Sequence, residues 1–237
     1  MTTSRLRRRK LSEPTIARLP IYQRVVEEVI AGGRARIDSV ELGTRAGVTA
    51  TTVRRDLAGL GTLGTRGAGY DAVVLQSCIG EALGHDRDCD VVVIGLGNLG
   101  RALVNSSGFL TRGARLVGLY DADDAVIGKV IAGHAVQSIH ELATASVAVL
   151  CVPASAAQAV ADRCVEAQIH ALLNFAPQVL SVPLGTAVHD VDLSIELQVL
   201  LYHLHNGTGP LGGGLLHSLA VGASGSAGPS AREEPWR

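Results

Sequence analysis

Apolar residues recur at helical spacing near the start of the chain and in short strand-like runs further along. Between residues 13 and 84 they are three and four positions apart, as at Ile21, Val25, Val26 and Val29, and glycines separate the resulting helices. From residue 90 to 205, runs rich in Val, Ile and Leu alternate with Ala-rich amphipathic segments, the rhythm of βαβ units around a parallel sheet. The pattern predicts an α/β chain with a small helical domain followed by a doubly wound, Rossmann-type sheet.

The two ends of the chain lack this patterning. We therefore predict a disordered basic tail over residues 1–12, a first domain over 13–84, a second over 85–205, and a flexible Gly-rich tail over 206–237. The longest apolar run is interrupted at Pro153, so no membrane span is expected. The basic run that ends at Lys10 leads into polar residues, which predicts a cytoplasmic protein without a signal peptide.

The first domain carries the pattern of a helix-turn-helix unit, at about residues 22–61. A short turn containing Gly47 separates two helices, for which Ser39 and Thr49 are the expected N-terminal caps. Short side chains near the start of the second helix fit a major groove, and arginines further along reach base edges or phosphates. The outward residues with these properties are Thr51, Thr52, Arg54 and Arg55.

A glycine-rich segment, residues 64–70, follows this unit and suits a wing that presents Arg66 and Gly67 at its tip. Each feature has an ordinary alternative, a solvated helix face and a surface loop. Together they favour a winged helix that binds double-stranded DNA. The charge distribution agrees, because residues 1–84 carry 13 Lys and Arg against 8 Asp and Glu, whereas the whole chain has a net charge of −1.

The strongest motif is a glycine loop that follows the apolar strand at residues 91–94 and precedes a helix. Its glycines allow a tight turn, close approach of the backbone to a pyrophosphate and close packing of the helix on the strand. The N–H groups and dipole at the start of the helix favour a phosphate there. We predict that the whole loop contacts a dinucleotide through Gly95, Leu96, Gly97, Asn98, Leu99 and Gly100.

An acidic residue ends the next predicted strand. Asp121 lies 21 residues after Gly100, where a carboxylate accepts hydrogen bonds from the adenosine ribose and repels a 2′-phosphate. The predicted ligand is therefore NADH or NAD rather than its phosphorylated form, and the alternative is an acidic residue at a solvated strand end.

Two later strand ends should reach the same edge of the sheet, one at Pro153 and Ala154 and the other at Asn174 and Phe175. Asn174 is predicted to bind a carboxamide and Phe175 to pack on a ring. For each segment the alternative is an ordinary strand-to-loop turn.

The residues that a hydride-transfer enzyme needs are missing from these segments. Such an enzyme requires a proton donor beside the nicotinamide, yet the strand-end segments hold no His, Lys or Tyr, and Lys129 and His134 fall in a predicted loop. The four cysteines have no metal-ligand spacing. We predict a protein with no catalytic residues and no metal site. Two alternatives stay open: a small NAD-dependent oxidoreductase, and a regulator that senses another adenine nucleotide.

The last predicted helix, residues 191–203, is apolar around most of its circumference. A terminal helix on a small domain has too few neighbours to be buried on every side. We therefore predict a homodimer in which this helix packs against a second copy. The alternative is that the helix lies in a groove of its own domain.

Several segments in this order resemble the Rex family of bacterial redox-sensing repressors. The resemblance runs from about Ile16 to His203 and rests on residues 17–22, 53–57, 64–70, 95–100, 174–177 and 192–198. It implies a homodimer with N-terminal winged helices, a Rossmann domain that binds NADH or NAD, and a swapped C-terminal helix. It also implies release from a palindromic operator when NADH binds.

The same resemblance implies an inter-subunit network that includes Arg18 and Asp192 and rearranges with the redox state of the nucleotide. Members of the family usually have a Tyr after the Asn that closes the glycine-loop helix, whereas Ser106 follows Asn105 here. A Ser does not stack on the nicotinamide ring or reach as far toward Asp192. The strength of discrimination between NADH and NAD is therefore left open.

Overall fold

The structure, a computed structural model, describes residues 11–61, 64, 68–106, 108–110 and 113–206. Within these residues the chain separates between Leu83 and Gly84 into two units, each with its own apolar core. The predicted tails, residues 1–12 and 206–237, lie outside the described residues apart from positions 11, 12 and 206.

Four helices and a two-stranded ladder make up the first unit. In chain order these elements are α1 (Glu13–Ala31), β1 (Arg36–Ile37), α2 (Ser39–Ala46), α3 (Ala50–Gly59), β2 (Tyr70–Asp71) and α4 (Ala72–Leu83). All four helices contribute to one core, with Tyr22, Leu42, Leu57 and Leu75 fully buried. Strand β2 pairs antiparallel to β1 and closes the segment in which the wing is predicted.

The turn between α2 and α3 is tight. Gly47 has a left-handed φ of 70°, and a Cβ on Gly43 would approach the Val48 carbonyl oxygen to 2.7 Å, so glycine is required at both positions. Thr49 caps α3 by accepting a hydrogen bond from Thr52 N, as predicted.

The predicted cap of α2 is wrong. Asp38, one residue before Ser39, accepts hydrogen bonds from the N–H groups of Val40 and Glu41. One carboxylate oxygen thereby satisfies two free N–H groups of the first turn, and Ser39 becomes the first residue of the helix.

The second unit contains the sheet. Its elements are β3 (Cys89–Ile94), α5 (Asn98–Asn105), β4 (Ala114–Asp121), β5 (Val130–Ile131), β6 (His134–Ser138), a 3₁₀ turn (Ile139–Glu141), β7 (Val147–Leu150), α6 (Ala154–Glu166), β8 (Ala171–Asn174), β9 (Ala187–Asp190) and α7 (Leu193–His205). The strand order is β5-β6-β4-β3-β7-β8-β9, and every neighbouring pair is parallel except β5 and β6. From β6 to β9 this is the Rossmann order, which reverses between β3 and β7.

One edge of the sheet differs from the prediction. The segment of Lys129 and His134 was expected to be a loop, but His134 begins β6 and pairs with Ile131 across a two-residue turn. Ala132 and Gly133 both have positive φ in this turn, as the tightest hairpins require. The strands are too short for alternation to reveal them, and Ala-Gly is a weaker turn sequence than Asn-Gly.

Both faces of the sheet are covered, because successive strand residues point to opposite sides. Val92, Ile94 and Leu150 belong to one apolar cluster, whereas Val91, Val93 and Val149 belong to the other. The central strands are therefore buried on both faces. Their carboxyl-terminal ends form the edge at which ligands of open α/β sheets bind.

Helix α7 is the exception to this burial. None of its residues is buried, and it exposes Leu193, Ile195, Leu197, Val199, Leu200, Leu201, Tyr202 and Leu204. The alternative in which this helix lies in a groove of its own domain therefore does not hold. Among the residues whose structure is described, no helix is both long and apolar enough to span a membrane.

Candidate nucleotide site and nucleic-acid interface

A cleft of about 660 Å³ lies at the carboxyl-terminal edge of the sheet, where the strand order reverses. This volume is in the range of pockets that hold small molecules and cofactors. The structure brings together seven of the residues predicted to bind the nucleotide: Gly95, Leu96, Gly97, Leu99, Asp121, Pro153 and Phe175 all line the cleft. Asn98, Gly100 and Ala154 belong to elements that flank it but are not among its lining residues.

The three glycines of the loop have different geometric roles. Gly95 has a φ of 92°, and a Cβ there would approach the Cys151 carbonyl oxygen to 2.6 Å. A Cβ on Gly100 would collide with the carbonyl oxygen of Gly95. Gly97, in contrast, has no neighbouring atom within 4 Å of where a Cβ would lie. The first and third glycines are therefore needed by the protein itself, whereas the second leaves open space for a ligand.

Helix α5 begins directly beside this open space. The N-cap residue, Gly97, provides no side-chain hydrogen bond, so the first N–H groups of the helix remain available to a ligand. Such a helix start favours a phosphate by its N–H groups and by its dipole. The arrangement fits the diphosphate of a dinucleotide.

Asp121 joins the glycine loop to the end of β4. Its Oδ2 accepts a hydrogen bond from Leu96 N at 2.6 Å, and its Oδ1 accepts from Ala122 N at 2.7 Å and Asp123 N at 3.0 Å. A carboxylate offers about four acceptor positions, so the side chain is held in place and still has capacity for a ribose hydroxyl.

Asn174 makes its hydrogen bonds within the protein. It is fully buried, its Nδ2 donates to Asp190 Oδ1 at 2.8 Å and to the Gln178 carbonyl at 2.9 Å, and its Oδ1 accepts from Ala176 N at 3.0 Å. Both ends of the amide are thus occupied within the protein, and Asn174 does not line the cleft. The predicted contact with a carboxamide stays a prediction. Its side chain holds the turn that positions Phe175.

Sequence reasoning missed several residues of the cleft. Ile139 follows β6, the strand that was taken for a loop, and Val126 lies in the same connection. Burial raises the pKa of the Cys151 thiol to about 11, so this residue contributes a neutral wall near neutral pH. The remaining missed residues are Ile94, Arg101, Ala122, Asp123, Val152, Ala156 and Val160. The strand before Ile139 is too short for alternation to mark this position in the sequence.

The outer face of α3 is the candidate nucleic-acid surface. Thr51, Arg54 and Arg55 are exposed, and Thr52 is half-buried. Arg54 donates to Ser39 Oγ at 3.0 Å and to Thr51 Oγ1 at 3.3 Å, so it is held along the helix face. Arg66 and Gly67, predicted at the tip of the wing, lie outside the described residues.

The inner face of α3 carries a buried carboxylate that the sequence did not reveal. Asp56 is 1% exposed and accepts hydrogen bonds from three residues of α1: Arg18 Nε at 2.7 Å and Nη2 at 2.9 Å, Tyr22 Oη at 2.9 Å and Thr15 Oγ1 at 3.0 Å. Burial acts to raise the pKa of Asp56, but the hydrogen bonds and the charge of Arg18 outweigh burial and hold it below its ordinary value. Burial and the same carboxylate raise the pKa of Tyr22.

The three residues of the implied inter-subunit network are each engaged locally. Arg18 pairs with Asp56 in the first unit. In the second unit Ser106 is the C-cap residue of α5, and Asp192 caps α7 by accepting a hydrogen bond from Ser194 N at 2.8 Å. The network therefore stays a prediction.

The fold and these two surfaces define the class of protein: a helix-turn-helix domain joined to a Rossmann domain with a dinucleotide-type cleft. Proteins described as "Redox-sensing transcriptional repressor Rex" match most of the chain. The one from Streptomyces avermitilis is 46% identical over 83% of this chain and 81% of its own length, and that from Rhodopirellula baltica is 40% identical over 84% and 87%. The chain belongs to the Rex family of redox-sensing transcriptional repressors.

Family models and solved structures agree with this assignment. Residues 10–58 match the model described as "Putative DNA-binding protein N-terminus", and residues 86–178 match the model of a CoA binding domain. The crystal structure of RSP, a Rex-family repressor, in complex with β-NAD⁺ and operator DNA is 32% identical and covers 91% of this chain and 100% of that one, with a TM-score of 0.76. RSP in complex with β-NADH has a TM-score of 0.73 and covers 84% of this chain and 97% of that one. The predicted fold class and the resemblance are confirmed.

Proposed function

We propose that this chain is a transcriptional repressor that binds operator DNA through residues 13–84 and releases it when NADH occupies residues 85–205. The observation that carries the proposal is the combination, in one chain, of an exposed Thr and Arg face on α3 with an open dinucleotide cleft. The crystallised complexes of RSP with NAD⁺ and operator DNA and with NADH support it. We place its action in the cytoplasm, where the operator and the nucleotide pool are both accessible.

In the nucleotide site we assign the diphosphate to the open space at Gly97 and the first N–H groups of α5. The adenosine ribose is assigned to Asp121, which is already held by the backbone of the loop. The nicotinamide end is assigned to Pro153 and Phe175. NADH changes operator affinity only if it binds the DNA-bound and released states unequally, since equal binding shifts no equilibrium.

On the DNA side we assign base and phosphate contacts to Thr51, Thr52, Arg54 and Arg55, and a wing contact to Arg66. Arg55 has no hydrogen-bond partner within the described part of the chain and is free to reach a phosphate. Arg54 must first leave Ser39, since its guanidinium is bound there in the free protein.

The operator experiment tests this function and the role of Arg55 together. Fluorescence anisotropy on a palindromic operator at fixed salt should show release when NADH is added, because phosphate contacts make affinity depend strongly on ionic strength. Arg55→Ala should weaken operator binding by about tenfold and leave NADH affinity unchanged. Arg115→Ala is the matched control, because Arg115 pairs with Asp90 on the sheet unit. Operator affinity that is unaffected by NADH contradicts the sensor, and equal losses in both Arg variants contradict the DNA assignment.

We further propose a homodimer held in part by the apolar residues of α7. Leu197 and Leu200 are exposed on the single chain, so changing them to Glu buries no charge within the chain itself. Leu197→Glu should raise the dimer dissociation constant on the order of a hundredfold, measured by sedimentation equilibrium. Leu184→Glu places the same charge on an exposed leucine outside α7 and should leave the dimer intact. Equal behaviour of the two variants would rule out α7 as the interface.

We propose binding without turnover, in line with the repressor relatives. The alternative, an oxidoreductase, predicts a steady loss of NADH absorbance at 340 nm with a panel of small carbonyl substrates. The other alternative, a sensor of a different adenine nucleotide, predicts that a nucleotide such as a CoA derivative displaces bound NADH and releases the operator by itself. Either result would replace the NADH-sensing assignment.

A further inference from the structure

We propose that Arg101 binds the diphosphate of the nucleotide and thereby sets the affinity for NADH and for NAD to the same extent. The inference rests on the proposed nucleotide site. It adds to that site a residue that stands outside the glycine motif and that the sequence did not single out.

The guanidinium of Arg101 is anchored beside the glycine loop. Its Nε donates to the carbonyl oxygen of Leu96 at 2.6 Å, and the side chain lines the cleft. The two terminal nitrogens make no other hydrogen bond or ion pair with the residues that the structure describes. One bond therefore orients a planar group and leaves the donors of both terminal nitrogens for an anion, which is the geometry that suits paired phosphate oxygens.

The charge of the cleft also requires a cation. Two acidic residues, Asp121 and Asp123, line it, whereas Arg101 is the one basic residue among its described lining residues. A diphosphate adds two further negative charges. The start of α5 supplies roughly half a positive charge, which leaves the larger share of the compensation to Arg101.

The contact should act equally on both redox forms. NADH and NAD carry the same diphosphate and differ at the nicotinamide ring, away from Leu96 and Arg101. An interaction that is common to two ligands changes both affinities by one factor and leaves their ratio unchanged. Arg101 therefore sets the total nucleotide concentration at which the site fills. Other residues set the NADH-to-NAD ratio that releases the operator.

Calorimetric titration of the full-length protein tests this role with four ligands: NADH, NAD, ADP-ribose and adenosine. Arg101→Gln should weaken binding of the first three by about tenfold, because a charge-assisted hydrogen bond is lost, and should change adenosine binding by less than about twofold. Arg101→Lys should restore part of the loss, and Arg115→Gln, which removes the same charge elsewhere, should have no effect. When total nucleotide is varied at a fixed NADH-to-NAD ratio, the NADH concentration that releases half of the operator should rise about tenfold.

Three outcomes would overturn the proposal. Equal weakening of all four ligands would mean that Arg101 only holds the loop through Leu96. In a parallel titration with NADPH, a larger loss than for NADH would assign Arg101 to the 2′-phosphate position. Unchanged affinities would remove Arg101 from the site. If the unmodified protein binds neither NADH nor NAD, the proposed function itself fails, and that result is visible before any variant is made.

Discussion

Replacing Gly97 by Val should abolish the response to NADH and leave the unliganded protein as stable and as able to bind its operator as before. The position has a φ of −69°, which every residue adopts, and no atom lies within 4 Å of where a Cβ would be. The added Cβ therefore has room beside the loop, and the valine side chain extends into the space assigned to the diphosphate. We expect NADH affinity to fall by more than about a hundredfold, since the loss removes most contacts to a doubly charged group.

Three measurements on this variant check the expectation: the NADH dissociation constant, thermal unfolding, and operator anisotropy with and without NADH. Gly100→Ala is the informative contrast, because its Cβ collides with the Gly95 carbonyl and should lower the unfolding temperature as well. A Gly97→Val protein that NADH still releases from the operator would refute the site.

Removing the Asp56 carboxylate should destabilise the first domain more than any surface change. In Asp56→Ala, the guanidinium of Arg18 and the hydroxyls of Tyr22 and Thr15 lose their shared acceptor, and the Arg18 side chain is only 15% exposed. Breaking a buried pair from one side costs about 3–5 kcal/mol. We expect hydrogen exchange in α1 and α3 of the full-length protein to accelerate accordingly, while the amides of the sheet remain protected.

Two further variants distinguish the contribution of the Arg18–Asp56 ion pair from that of side-chain packing. Arg18→Met together with Asp56→Leu should recover most of the stability, because well-packed apolar residues often replace a buried ion pair without loss. Glu41→Ala breaks an exposed pair with Arg34 and should leave the exchange pattern unchanged. If Asp56→Ala behaves like Glu41→Ala, the carboxylate does not hold α3 to α1.

The pH dependence of this domain follows from the same carboxylate. Because the folded-state pKa of Asp56 lies below its ordinary value, the stabilisation is complete above that ordinary value, about 4. It decreases as the pH falls through the lower folded-state pKa.

The features that sequence predicted best depend on neighbouring residues. The GxGxxG spacing between a strand and a helix led directly to the loop, and the Thr49 cap followed from a residue three positions before its partner, Thr52. Asp121 was predicted from its place at the end of the strand that follows the glycine loop. The family was identified because six segments occur in a fixed order.

The features that sequence missed depend on distant residues. Asp56 lies 34 to 41 positions from the side chains that bind it, and no local sequence pattern predicts such a contact. Asn174 was assigned to the ligand because its position at a strand end was visible, whereas its contact with Asp190, 16 residues later, was not. Arg101 was overlooked because its type and spacing suit an ordinary solvated helix position.

The proposed pairing through α7 would have a consequence for how much active repressor a cell contains. A chain that covers its apolar terminal helix only by pairing obeys mass action, so its stability rises with its own concentration. At concentrations well below the dimer dissociation constant, the amount of dimer falls with the square of the total protein concentration. For a regulator made in few copies, gene dosage and synthesis rate would then determine operator occupancy alongside the nucleotide, and halving expression would remove more than half of the species that occupies the operator.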